Sequence, residues 1–441
     1  MKPSLRQTFP PLLARRRLSF LLVFPFLLFL LHALPPVFPK NHNRRIVGGK
    51  WLPDYKVNDV PRYLHRSPYR EKPDVEFERR VREALKGIEV DNLATAGNGE
   101  DRLAEERIWQ IRLGANGDDN DERGKDSLAF TERNGEWEYT VSWMKCLGVR
   151  GLQSCLTVQQ LVTDHQANGF IATVLASVPD LKMLYDSYPY HVMRSDLLRY
   201  LVLWYYGGYY ADMDVFPAKA IKECPSLRPV FGRDSSSANI SLAVGIEIDE
   251  PHASPQLMHD WHWIRTYGLI QYTFFAPRRF SPLLREVIVR VLSHTRQHNQ
   301  RSLPFIGPRY DEKAILEVTG PGVFTDAILD ALSETLPPTH PLIATSVQAD
   351  DGIGDLLSYS SGYLLRRVTW APFHKISAPF CVDAEEAAVG LSMGGVCVLP
   401  VNAWGNGQRH SGAEGFRSPH ACINHRFGGS WKKDWWYRHF G

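Results

Sequence analysis

The chain has 441 residues, 44% of them apolar and 22% charged, with 51 basic against 48 acidic side chains and a formal net charge of +3. A length and apolar share of this order can bury an enzyme-sized core, which excludes a disordered or fibrous chain. So small and dispersed a charge excess gives no ground for a nucleic-acid partner.

In chain order, the first signal is the stretch 18–38, nearly unbroken leucine, phenylalanine and valine with no formally charged side chain. A helix of that length spans roughly 30 Å, one hydrocarbon core. Arg15, Arg16 and Arg17 precede it, with Lys2 and Arg6 further out, so the positive-inside tendency keeps residues 1–17 cytosolic. Lys40, Arg44 and Arg45 oppose that orientation, but a long C-terminal domain translocates largely regardless of such charges. A cleaved signal peptide is the alternative. Its apolar region is normally shorter and ends in a small-x-small site, for which His32-Ala33-Leu34-Pro35-Pro36 is a poor match. The expectation is one signal-anchor helix in the bilayer, with the bulk of a single-pass type II protein on the far side. Pro25 kinks such a span at a cost that neighbouring groups can relieve.

Residues 39–105 are polar and broken by prolines and read as a stem. Within it, Val75, Phe77, Val81 and Leu85 recur at near-helical spacing, predicting helix over 73–90. Residues 106–441 read as one α/β catalytic domain. Arg107 to Ile111 suits a first buried strand, Glu138 to Trp143 alternates like a second, and 156–161 with 167–175 reads as helical. Strands alternating with helices predict a central mixed, mostly parallel sheet with its ligand beyond the strands' C-terminal ends.

Cys146, Cys155, Cys224, Cys381, Cys397 and Cys422 would meet an oxidising lumen, where disulfides form. Cys146 with Cys155 and Cys381 with Cys397 are the short-loop pairs, and sequence does not choose among the connectivities. Asn239-Ile240-Ser241 is a glycosylation sequon.

The informative stretch runs from Tyr188 to Asp214. Apolar residues from Leu197 to Tyr206 predict a mostly buried helix with Asp196 near its start, and Gly207-Gly208 stops it by taking positive φ. Tyr209-Tyr210-Ala211 then makes a short strand delivering Asp212 and Asp214, and alternation puts both carboxylates on one side. Such hard oxygen ligands suit Mn²⁺ or Mg²⁺ bridging to a diphosphate. An Asp-x-Asp triplet by itself is weak. Asp119-Asn120-Asp121 has the same spacing in a polar loop, where a solvated turn explains it.

Arg194-Ser195-Asp196-Leu197-Leu198-Arg199-Tyr200 followed by Gly207-Gly208-Tyr209-Tyr210-Ala211-Asp212-Met213-Asp214 resembles glycosyltransferase family 32, and most nearly its fungal outer-chain-initiating α-1,6-mannosyltransferases. Val244 to Glu247, Thr319 to Asp326 and His425 to Lys432 are similar to later segments of the same family, in the same order. The resemblance covers roughly Arg107 to Lys432. It implies a GT-A type nucleotide-sugar-binding fold, a GDP-mannose donor, Mn²⁺ (or Mg²⁺), retention of configuration, a glycan or glycolipid acceptor, partner glycosyltransferases and a Golgi or ER–Golgi membrane with the catalytic domain luminal. By the same likeness Asp212 and Asp214 hold the metal with His425, while Asp196, Arg199, Tyr210, Ser430 and Trp431 bind the donor. The plainer reading of Asp196 and Arg199 is an ion pair on one helical turn. That of His425 is a packed, hydrogen-bonded ring.

Glu247 is open to acceptor binding, base chemistry or a structural hydrogen bond. Thr319-Gly320-Pro321-Gly322 reads as a turn before a helix opening near Thr325. Trp204, Trp261, Trp263 and Trp404 can stack on sugars or simply fill the core, and none is assigned a role. Arg112 and Ser142-Trp143-Met144-Lys145 depart from the family's pattern near the expected nucleotide pocket. Two alternatives stand beside transfer to a protein-linked glycan: transfer to an inositol phosphoceramide, and an inactive membrane-tethered glycan-binding scaffold.

Overall fold

Helix α2 (His191–Tyr206) is buried almost all round from Met193 to Trp204, which marks it as a central element rather than a surface one. The computed structural model describes residues 45–47, 50–52, 67–96, 104, 106–114, 124–137, 162–231, 240–302, 307–349, 368–384 and 394–427. The stretch 18–38, the alternating segment 138–143, the helical reading of 156–161, Cys146, Cys155, Asp119, Asp121, Asn239, Ser430 and Trp431 lie outside them. Among the described residues no helix is long and apolar enough to cross a membrane. The chain divides into the units Met1–Tyr55 and Lys56–Gly441. The first contributes an antiparallel pair, β1 (Arg45–Val47) with β2 (Lys50–Leu52).

The second unit is built on a seven-stranded sheet. Its strands are β3 (Ile108–Trp109), β4 (Gly208–Ala211), β6 (Leu242–Asp249), β7 (Tyr267–Leu269), β8 (Thr273–Ala276), β9 (Phe380–Val382) and β10 (Val396–Leu399). The order is β3-β4-β8-β6-β10-β9, with β7 paired to β6 off that path. The sheet is mixed, as expected. However, only β3 with β4 and β10 with β6 pair in parallel; the other pairings are antiparallel. The four strands β3, β4, β6 and β10 do run the same way, but β8 inserts between β4 and β6 in the opposite sense and separates them. A pairing between segments some 30 or more residues apart leaves no local sequence mark, so strand direction was not legible. A two-stranded antiparallel ribbon, β5 (Val215–Pro217) with β11 (Ile423–His425), stands beside the sheet.

Helix α1 (Val75–Ala96) lies within the expected stem, yet it buries Phe77, Val81 and Leu85 in the same core as the catalytic part. It is clamped to α3 (Pro282–Gln300) by Arg82 with Glu286 and Arg285 with Glu89. The apolar spacing that predicted the helix is therefore a packing face. Helices α4 (Glu312–Val318) and α5 (Pro321–Thr335) follow. The Asp311 side chain caps α4 through Ala314 N–H, and Pro321 opens α5, four residues before the expected start near Thr325.

Cys381 and Cys397 are disulfide-bonded across β9 and β10, where they are register partners. Cys224 bonds Cys422, a pairing across 198 residues that no spacing argument reaches. It anchors the segment leading into β11.

Candidate active site

Gly207 ends α2 with φ 69°, its N–H donating to Leu203 O at 2.9 Å. A Cβ there would lie 2.4 Å from Ala104 Cβ and 3.0 Å from Ala276 O. Gly208 follows at φ 98°, where a Cβ would meet Arg107 O at 2.7 Å. Both positions require glycine for conformation and for space. The chain can therefore turn from the central helix straight into β4, and the carboxylates reach the strand's C-terminal end.

The two aspartates do not alternate along one strand as expected. Asp212 directly follows β4 and Asp214 lies in a tight turn, in which the Val215 N–H donates to Asp212 O at 3.1 Å. Both remain partly open to solvent, with 27% of the Asp212 side chain and 38% of the Asp214 side chain exposed. The turn, not the pleat, brings them to one opening.

Their partners differ. Asp212 Oδ1 accepts from the Tyr210 hydroxyl at 2.5 Å and lies 3.4 Å from Arg199 Nη2. Asp214 Oδ1 lies 3.0 Å from His425 Nε2 on β11. The ribbon pairs His425 with Val215, one residue past Asp214, which explains how the C-terminal segment reaches this turn. The His425 ring stacks on Tyr272 at 4.1 Å and 19°, and its Nδ1 is buried with no hydrogen-bond partner. Nε2 is thus the nitrogen presented to Asp214.

Asp196 and Arg199 sit behind Asp212, both buried. Arg199 Nη2 lies 3.1 Å from Asp196 Oδ1, its Nη1 donates to Gln271 O at 3.2 Å, and its guanidinium lies 5.0 Å from the Tyr210 ring centroid. The Thr319 hydroxyl donates to Asp196 Oδ2 at 2.9 Å. Burial pushes the Asp196 carboxyl up to about 6, against the opposing pull of Arg199 and of the Thr319 bond. Burial likewise raises Asp212, with Arg199 and the Tyr210 hydroxyl working against it. Burial works against the charge on Arg199, but Asp212, Tyr210 and Asp196 outweigh it and hold the guanidinium protonated.

Glu247, on the C-terminal part of β6, joins this neighbourhood. Burial pushes its carboxyl up to about 7, and His425 is the group that pulls it back down. The described residues contain no cluster of three or more His, Cys, Asp or Glu side chains arranged to hold a metal ion. Of the expected set Asp212, Asp214 and His425, the last two stand together, while Asp212 Oδ1 is engaged by Tyr210 and Arg199.

Thr319, Gln271 and Tyr272 were not singled out as site residues. Gln271 Nε2 donates to the Thr319 carbonyl at 3.1 Å, placing that loop against Asp196. The Tyr272 carbonyl accepts from Asp212 N–H at 2.8 Å while its ring supports His425. Only contacts across the sheet reveal them. Trp204 and Trp404 are fully buried core residues.

Residues 139–231 match the family described as a glycosyltransferase sugar-binding region containing DXD motif, and Asp212-Met213-Asp214 is that triplet. The resemblance to glycosyltransferase family 32 read from residues 194–214 is thereby borne out. More particularly, the chain is similar to two proteins named initiation-specific α-1,6-mannosyltransferase. It is 26% identical to that of Candida albicans over 275 residues, covering 62% of this chain and 63% of the relative. It is 27% identical to that of Schizosaccharomyces pombe over 279 residues, covering 62% and 56%. Inositol phosphoceramide mannosyltransferase 3 of S. pombe is 47% identical over a shorter stretch of 82 residues, 18% of this chain and 22% of that one. The chain thus spans about three fifths of the length of the first two relatives.

Proposed function

We propose that this chain is a divalent-metal-dependent, retaining mannosyltransferase that moves mannose from GDP-mannose to a glycan acceptor through an α-1,6 linkage. The observation that carries this reading is the division of labour around the twin glycines. A buried Asp196–Arg199 pair backs the partly open Asp212, and Asp214, also partly open, pairs with His425 beside it at the C-terminal end of one strand. Asp196 and Asp212 offer carboxylate oxygens to sugar and ribose hydroxyls, and Arg199 holds positive charge toward a phosphate.

Asp214 and His425 have the chemistry of a shared cation site. A carboxylate oxygen and an imidazole nitrogen 3.0 Å apart suit two ligands of one small divalent ion. The ion would offset the charge developing on a departing diphosphate. The reading favours attack on the leaving-group face, with the protein supplying position and electrostatics. A sugar–enzyme ester trapped and seen by mass spectrometry would overturn that step. The wider proposal keeps the order expected from the sequence, with α1 counted as part of the catalytic core rather than of the stem: a cytosolic tail, an anchor over 18–38, a stem and a luminal catalytic domain in the Golgi or ER–Golgi membrane.

A second reading, transfer to an inositol phosphoceramide, is favoured by the higher identity over the 82-residue match. One assay separates these readings: the full chain with a panel of nucleotide-sugars, with and without Mn²⁺, and with an oligomannoside or an inositol phosphoceramide as acceptor. The expected outcome is Mn²⁺-dependent turnover of GDP-mannose onto the oligomannoside, lost in Asp214→Ala. Preference for a UDP-sugar, or equal turnover by Asp214→Ala, would sink the reading.

A further inference from the structure

The end of β6 that carries Glu247 is tied to a distant loop by three hydrogen bonds. Gln408 Nε2 donates to Glu247 O at 2.6 Å, Asp249 N–H donates to Ser411 Oγ at 2.8 Å, and Ser411 N–H donates to Glu250 Oε1 at 2.7 Å. Between these ties sits His410. Its ring meets Trp261 at 5.0 Å and Trp263 at 4.8 Å, edge-on to both, and the two indoles stack on each other at 5.7 Å and 18°.

The backbone around this cluster is unusual. His262, between the tryptophans, has φ 58°, while Arg409 and Ser411, flanking His410, have φ 69° and 58°. Left-handed backbone at non-glycine residues costs energy and persists where surrounding bonds enforce it, a condition common at ligand sites. Here three such residues bracket one aromatic group. Trp261 nonetheless stays 38% exposed, whereas Trp204 and Trp404 are fully buried. Burial pushes His410 down to about 4, so above that pH its ring is neutral and aromatic in behaviour.

The position relative to the reaction follows from the same bonds. His410 lies two residues from Gln408, at most about 7 Å of chain, and Gln408 touches Glu247. Glu247 in turn lies within electrostatic reach of His425. An exposed indole offers the flat, apolar surface that the C–H face of a hexose covers, and the carboxyl of Glu247, whose backbone the same loop holds, can accept from its hydroxyls.

We propose that Trp261, Trp263 and His410 form an acceptor subsite that stacks on the apolar face of a hexose, with Glu247 binding a hydroxyl of that acceptor on the side toward Asp214 and His425. This rests on the transferase reading above, which assigns no residue to the acceptor.

The test uses the full chain and an α-linked mannotriose, with binding measured by calorimetry and transfer from GDP-mannose measured in parallel. Trp261→Ala and Trp263→Ala are expected to weaken mannotriose binding about tenfold or more, Trp261→Phe to restore most of it, and the exposed Met183→Ala to leave it unmoved. In the transfer assay the acceptor KM rises in the alanine variants while the donor KM holds. Because Trp261 is exposed, a general folding defect would not produce that split. Binding that is absent in the native chain, or equal in native chain and both alanine variants, overturns the subsite. Transfer with an unmoved acceptor KM overturns it while the transferase reading stands. Binding lost in both variants with no turnover of any donor supports the subsite while the transferase reading falls.

Discussion

Arg265 and Arg199 are both buried and each faces two carboxylates, and they show how the same charge set can build either structure or a site. Arg265 meets Glu317 through two bonds of 2.8 and 2.9 Å and Asp326 at 2.9 Å, and all three side chains are sealed from solvent. It joins the segment before β7 to α4 and α5. Arg199 meets Asp196 at 3.1 Å and Asp212 at 3.4 Å, and one of its acids opens to solvent. Close pairing in a sealed place is the mark of a clamp. Looser pairing with a vent is what a ligand can complete.

The largest effect is expected where pairing is tightest. Arg265→Met leaves two buried acids without their cation and should lower the unfolding free energy by about 3–5 kcal/mol in urea titration. Turnover per folded molecule should hold within about threefold. A stability loss below about 1 kcal/mol would show that the clamp is dispensable and erase the distinction.

Asp214→Ala should do the reverse. The side chain is partly exposed, so stability should change by no more than about 0.5 kcal/mol, while kcat/KM should fall about 10²–10³-fold at saturating Mn²⁺. Steady-state kinetics with denaturant curves on the same preparations reads both numbers.

A smaller effect concerns pH. Asp196 has its carboxyl raised to about 6 in the folded chain, against an ordinary value of 3.8. Between those values the folded state holds a proton that the unfolded state has lost, so this group's contribution to stability declines as pH rises through the window. The size is on the order of 3 kcal/mol. Asp196→Asn should remove that slope from unfolding curves taken between pH 4 and 6, keep the Thr319 bond through its amide oxygen, and lose donor binding. An unchanged slope would mean that Asp196 does not titrate in that window.

The helix expected from Leu197 to Tyr206, which in the fold begins earlier at His191, its stop at Gly207-Gly208 and the delivery of Asp212 and Asp214 were legible because they depend on neighbours in sequence: apolar residues, glycine conformation and chain direction. The family likeness rests on the same contiguous motif. What the sequence left open was decided by partners far along the chain. His425 reaches Asp214 across 211 residues, Thr319 reaches Asp196 across 123, and Cys224 reaches Cys422 across 198. Asp212 and Asp214 were expected to act alike, yet packing gave one to Arg199 and Tyr210 and the other to His425. Of four candidate tryptophans, only folding showed that Trp204 and Trp404 fill the core while Trp261 faces outward. Local chemistry is written in local order, whereas which groups share a cavity depends on strand pairings and helix contacts whose energy is collected only in the closed fold.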